Sequence, residues 1–412
     1  MSATLESHDV DRIGFARPST ATLMARPRLM QLALCLPGVL ALIIWRLSLR
    51  HVDVENLGSY GLPPALPLAW YLALALSVLG AVTAAAARRS SGLIIFGYVT
   101  VVVVILYGTV PVLSGQPHYA WVYKHIGVVR YLEAHGQVNL NVDIYNRWPG
   151  FFALGAMFSR LVGRTDPETY ASWAELVFVL LDGALVMTVV KAVAREVRIA
   201  GGAALFFILT NWVGQTYYSP QALTFALGLA LTAVVLRHLT VDGARFSQRL
   251  TRLIERVGRV PQLAVHKDAT VKWPRWAAIT IVLSLDAMIV ASHQLTPYVL
   301  LVSTALLMLA GVIRPSWMLG AMAAITLSYL AANFSYIQHH FGFFTSLDPF
   351  NNVQRVRAYN QAPSAGKTFN THAELLAILV LLAGGLCASV RLLRRGLLAS
   401  IRHQGELLLG FG

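Results

Sequence analysis

Charge is what this sequence has least of. Only 13% of its 412 residues are Asp, Glu, Lys or Arg, whereas 56% are hydrophobic, and mean hydropathy is +0.60. A soluble domain carries roughly 25% charged residues. The deficit is regional, because long apolar runs alternate with short basic connections and no water-soluble stretch is long enough to hold a core. Cysteine is nearly missing too. Cys35 and Cys387 both fall in apolar runs without C-x-x-C spacing, which argues against a disulfide or zinc framework. No serine triad, phosphate-binding glycine loop, zinc spacing or dinucleotide fingerprint appears, and neither does an internal repeat or a low-complexity tract. The first apolar run, Leu29 to Leu47, is longer than a signal-peptide core and lacks a small-residue cleavage pattern. Acidic residues are the scarcer sign, 19 against 33 Lys and Arg, for a net charge of +14. Beside apolar runs that surplus belongs to cytoplasmic loops of a membrane protein, not to a nucleic-acid surface.

The apolar runs themselves set the fold class. A helix of ~20 residues crosses ~30 Å of hydrocarbon, and ten segments approach that length: 29–47, 66–87, 92–113, 171–191, 199–214, 220–238, 276–293, 297–313, 316–337 and 373–390. They predict an all-α, polytopic transmembrane helical bundle of about ten spans. A cytoplasmic leader (1–28, with Arg12, Arg17, Arg26 and Arg28) would precede a transmembrane domain (29–390) and a cytoplasmic tail (391–412). The run 149–162 is too short and is broken by Arg160. Placed on the outer surface as a juxtamembrane helix, it puts about 23 of the 33 Lys and Arg in the cytoplasm and about 10 outside. Both termini are then cytoplasmic in an inner (plasma) membrane, and the long outward loops are 114–170 and 338–372. In the basic cytoplasmic loop 239–275, Phe246, Leu250, Leu253, Ile254 and Val257 recur at helical spacing opposite a row of arginines, which suits a helix on anionic lipid.

Ionisable residues inside spans are expensive and mark function or a buried partnership. Glu175 and Asp182 share one helical face, and Asp286 and His293 share another, each pair seven residues apart. His293 and Gln294 stand where one span exits, either as site residues or as helix caps. In the loop 114–170, Trp121, Tyr123, Lys124 and His125, then Asp143, Tyr145, Arg147 and Trp148, interleave aromatics with charge. Such a lining can stack on a sugar and pair with phosphate. An interfacial aromatic belt uses the same residue types but does not require Asp143. Tyr217 to Gln221, with Tyr218 and Gln221 the binding candidates, form an outer turn into a Pro-initiated helix. Asp348, Arg355 and Arg357 offer anion contacts in the second loop. His339 and His340 are weak metal candidates, since adjacent helical residues diverge by about 100°.

From about 92 to 240 the order of parts resembles the GT-C superfamily of membrane glycosyltransferases that use polyprenyl-phosphate sugars, in particular protein-mannosyltransferase-like members. Tyr145-Asn146-Arg147-Trp148-Pro149-Gly150-Phe151-Phe152 looks like the start of their juxtamembrane helix, Lys191 to Arg198 like the basic end of the next span, and Tyr217 to Ala222 like the following outer turn. Where the family carries an early acidic residue, this chain has Gln116, Pro117 and His118. The resemblance implies transfer of a sugar from a lipid-linked donor to a cell-envelope saccharide or lipid acceptor on the outer face. Asp143 would be the base with Glu133 in reserve. Lys124, Arg147, Arg355 and Arg357 would serve the phosphate, unless a divalent cation does, and His125, Tyr218, Gln221, His293 and Gln294 would contact substrate. The rival readings are a transporter or flippase built on Glu175, Asp182, Asp286 and His293, and a non-catalytic envelope scaffold.

Overall fold

A computed structural model describes residues 20–87, 90–164, 166–194, 196–211, 215–240, 272–309, 311–341 and 365–394. The start of the leader, the amphipathic pattern within 241–271, residues 342–364 of the second loop and the end of the tail lie outside these residues. Among the described residues there are fourteen α-helices and no strand. They are α1 (Thr20–Ser48), α2 (Leu68–Ala86), α3 (Gly92–Ser114), α4 (Ala120–His135), α5 (Ile144–Arg147), α6 (Gly150–Leu161), α7 (Glu168–Ala171), α8 (Ala174–Ala194), α9 (Val197–Thr210), α10 (Pro220–His238), α11 (Arg275–Ser292), α12 (Thr296–Leu309), α13 (Trp317–Phe341) and α14 (Ala365–Arg394).

The chain is an all-α polytopic bundle. Eight helices, α1, α2, α3, α8, α10, α11, α13 and α14, are long and apolar enough to cross a membrane. Two runs expected to span, 199–214 and 297–313, form helices of only 14 residues, α9 and α12, or about 21 Å at 1.5 Å per residue. Helix α9 stops because Asn211 leaves helical backbone. Past α12, Gly311 takes a left-handed conformation (φ 72°) and Ile313 bridges to Thr240, so the apolar run there continues as a turn.

Local signals fix the helix ends. The Ser91 and Ser219 hydroxyls accept from Ile94 N and Ala222 N, capping α3 and α10, and Pro220 occupies the first turn of α10. Gly115 and Gly136 end α3 and α4 in left-handed conformation. Within the bundle, α1, α2, α3, α8 and α9 pack together on one side, while α10 lies between α8 and α11, and α11 meets α12 and α13. One hydroxyl organises the first group. The Trp45 and Trp70 indoles both donate to Thr109 Oγ1 at 2.9 Å, and Thr109 donates to Ile105 O, so α1, α2 and α3 meet at one buried oxygen.

Helices α4 to α7 form a cap over one end of the bundle. In α6, Phe151, Phe152, Gly155, Ala156 and Ser159 face inward, with Gly150 against Ala291 and Ser292 and Gly155 against Tyr218 and Val129. Its other face is apolar as well. Leu154, Met157, Phe158 and Leu161 recur at i, i+3, i+4 and i+7, and all are exposed. A helix apolar on both faces suits a position at the bilayer surface, packed on protein below and in contact with lipid beside it.

Helix contacts in lipid rest on small residues that admit a neighbour. A Cβ on Gly80 would collide with the Tyr98 ring, whose hydroxyl reaches Leu34 O, whereas a Cβ on Gly97 meets nothing within 4 Å. Gly80→Ala is therefore expected to destabilise the protein by about 1–3 kcal/mol through overpacking, read as a lower melting temperature in detergent. Gly97→Ala should not lower it. Equal behaviour of the two variants would contradict this α1–α2–α3 packing.

Candidate functional site

The cap positions the loop's charged residues. Asp143 is the N-cap of the one-turn helix α5. Its Oδ1 accepts from Tyr145 N (3.0 Å), Asn146 N (3.2 Å) and Asn146 Nδ2 (3.1 Å). The other oxygen, Oδ2, faces Lys124 Nζ at 3.6 Å. That ammonium also lies over the Tyr145 ring (4.8 Å) and the Trp121 ring (5.7 Å). Capping spends one oxygen and leaves the second, 21% exposed at the side-chain level, on the rim of the cap.

One turn on, about 6 Å along the helix, Arg147 closes α5. Its Nε donates to Leu140 O (3.0 Å) and its Nη1 to Asn333 Oδ1 (3.4 Å), and the guanidinium stacks over Tyr336 at 4.4 Å. Its carbonyl accepts from Tyr329 Oη. Arg147 thus ties the cap to α13 and lines a groove of about 260 Å³ with Asn141, Ser335, Tyr336, His339 and His340. His339 and His340 each donate Nδ1–H to a carbonyl four residues back, Ser335 O and Tyr336 O, which leaves both Nε2 atoms outward. Arg147 Nη2 makes no hydrogen bond among the described residues. With Nδ1–H spent on the backbone, a neutral imidazole presents an acceptor Nε2, so the anion-binding donor of this groove is the Arg147 guanidinium.

Behind this rim sits an aromatic core. His125, 1% exposed, donates Nδ1–H to Tyr218 O at 2.8 Å and lies among Tyr145, Phe151, Phe152 and Tyr217. Burial pushes its imidazole below the ordinary value, the backbone bond to Tyr218 opposing, so it is neutral at pH 7. Tyr218 is buried, with its hydroxyl raised by burial and by Tyr170 beside it. Both residues, expected to touch substrate, hold the cap to α10 instead. At the head of α8, Glu175 comes within 3.8 Å of His118 Nε2. Burial holds His118 below its usual value, so the pair is an imidazole facing a carboxyl group, not two full charges.

No protein-family model, curated protein or solved structure matches this chain.

The remaining candidates are dispersed. Glu133, whose buried Oε1 has no hydrogen-bond partner among the described residues, lines a different groove with Arg130, Arg160 and Asp166. Arg130 and Asp166 pair there at 2.6 Å, the carboxyl held low by the Glu168 backbone N–H and by Arg130. His293 accepts from Thr296 N and contacts Thr296 Oγ1, so it caps α12. Gln294 follows it half-buried, and Gln221, in the first turn of α10, has a buried Oε1 with no hydrogen-bond partner among the described residues. Asp182 and Asp286 are fully buried, and none of their four oxygens has a hydrogen-bond partner among the described residues. Arg355 and Arg357 lie outside the described residues. Among those residues no three His, Cys, Asp or Glu gather as metal ligands. The α13 contribution was the unread signal, since Tyr329, Asn333 and Tyr336 stand at i, i+4 and i+7 on one face and all meet Arg147.

Because the folded protein holds His125 neutral, unfolding takes up a proton below about pH 6.5. Stability is then full above the ordinary histidine value and lost as pH falls through it, by at most about 1.4 kcal/mol per pH unit for one group. Melting temperature should drop between pH 7 and 5 in wild type and less steeply in His125→Gln. An identical slope in both would mean that His125 is not buried in its neutral form.

Proposed function

We propose that this chain is a membrane glycosyltransferase that moves a sugar from a polyprenyl-phosphate donor to a cell-envelope acceptor at the cap end of the bundle. The observation that carries the reading is that one short helix, α5, holds a carboxylate at its start and, at its end, a guanidinium that lines the groove against α13. Asp143 Oδ2 takes the proton of the acceptor hydroxyl. The acceptor oxygen bonds to the anomeric carbon as the bond from that carbon to the phosphate oxygen breaks. The electron pair leaves with the lipid phosphate, and Arg147 stabilises the charge that develops. Trp121 and Tyr145 flank the Lys124 ammonium that faces the carboxylate, and offer aromatic faces for the sugar. The exposed apolar stripe of α6 keeps the groove at the depth where a lipid-linked phosphate lies. By the Lys and Arg bias the cap faces outward and both termini face the cytoplasm of an inner (plasma) membrane.

Asp143→Asn retains a good helix cap but removes the base, so sugar transfer should fall about 10²–10⁴-fold with insertion and melting temperature unchanged. The assay is release of lipid phosphate from a polyprenyl-phosphate sugar in reconstituted vesicles. Full turnover by Asp143→Asn would remove Asp143 from the chemistry.

One observation favours a second reading. Asp182 and Asp286, both buried in α8 and α11 without hydrogen-bond partners among the described residues, are what a proton-coupled transporter places inside the membrane. In that case Asp182→Asn and Asp286→Asn abolish substrate movement across vesicles and Asp143→Asn does not.

A further inference from the structure

At the end of the bundle away from the cap, a crevice of about 330 Å³ opens between α3, α8, α9 and α10. Its chemistry is divided along its length. Ala184, Met187 and Lys191 stand at i, i+3 and i+7 on one face of α8, so it runs roughly 10 Å along that helix. The inner stretch is lined by Ala184, Met187 and Phe96, and Lys191 and Arg237 stand at the mouth with Gly92. No residue lining it is acidic, and Glu196 nearby is paired to Arg198 at 3.2 Å. Arg237 Nε is buried and has no hydrogen-bond partner among the described residues. A buried guanidinium N–H without an acceptor is costly, and an anion at the mouth would satisfy it. Gly92 and Val197 are the first residues of α3 and α9, whose N-termini add the same preference for negative charge.

We propose that this crevice binds an anionic phospholipid, with its phosphate between Lys191 and Arg237 and the start of an acyl chain along Ala184, Met187 and Phe96. A free phosphate would use the cations equally well but has no use for the apolar stretch. The crevice also sits at the ends of apolar, membrane-length helices, the level of lipid headgroups. The site is independent of the groove at Arg147 and of any transferase activity.

The test is native mass spectrometry of the full-length protein released from detergent micelles containing dioleoylphosphatidylglycerol or dioleoylphosphatidylcholine, with melting temperature in inorganic phosphate as a parallel arm. Wild type should retain phosphatidylglycerol and not phosphatidylcholine. Lys191→Gln combined with Arg237→Gln should bind phosphatidylglycerol about ten- to thirtyfold more weakly, each cation near a lipid surface being worth a factor of about five. If the double variant does not fold, Lys191→Gln alone, at an exposed position, should show a weakening of several-fold. Ala184→Leu fills the apolar stretch and leaves both cations, so it should expel the lipid. Undiminished phosphatidylglycerol in the charge variants, equal retention of phosphatidylcholine, or stabilisation by inorganic phosphate that persists in Ala184→Leu while lipid retention is unaffected would each overturn the proposal.

Discussion

An unpaired polar group in hydrocarbon costs several kcal/mol, and each feature of this chain answers to that cost. It is why the described chain is helical, each backbone amide bonding within its own segment. It is also why Trp45, Trp70 and Thr109 share one buried oxygen, since two indole N–H groups and a hydroxyl are satisfied there together. Charged side chains are moved to the two ends of the bundle. At one end they build the cap around Lys124, Asp143 and Arg147, and at the other they line the mouth of the crevice with Lys191 and Arg237. Asp182 and Asp286 are the exceptions, buried and unpartnered, and they are what any transport reading rests on.

In the proposed transferase, helix α5 carries a structural device and a chemical one on the same residues. Four residues make one turn, and a turn that short needs its cap. Asp143 supplies it with Oδ1, which fixes Oδ2 in direction without consuming it. The opposite end is fixed from outside the cap by α13, through Asn333, Tyr336 and Tyr329. The carboxylate and the guanidinium are thus each fixed by hydrogen bonds, and in the proposed transferase they would be a preorganised pair of the kind that electrostatic catalysis uses.

The bundle was legible in the sequence because membrane spans are written as composition, and composition survives without knowledge of contacts. The short helix at 150–161, too, was legible from its length and from Arg160. What composition does not carry is where a span stops. The run 297–313 is apolar throughout, yet the helix ends at Leu309 and Gly311 turns the chain, because that segment must meet Thr240. The candidate site was legible in part. Lys124 and Asp143 lie 3.6 Å apart, and Arg147 stands at the other end of α5. His125 and Tyr218 belong to the same aromatic and polar vocabulary, but the fold uses them as core, holding α4 to α10. Nothing in the sequence pairs Glu175 with His118, which meet only because α8 rises beside the start of α4. The partners of Arg147 on α13 were equally hidden, lying far along the chain.

The most direct measurement is photo-crosslinking with a polyprenyl-phosphate sugar that carries a diazirine beside the phosphate, followed by peptide mapping. Crosslinks are expected within 139–148 and 332–340, the two walls of the Arg147 groove, and competition by unlabelled donor should erase them. Crosslinks confined to the opposite end, or spread evenly along the lipid-facing helices, would contradict a donor site at α5.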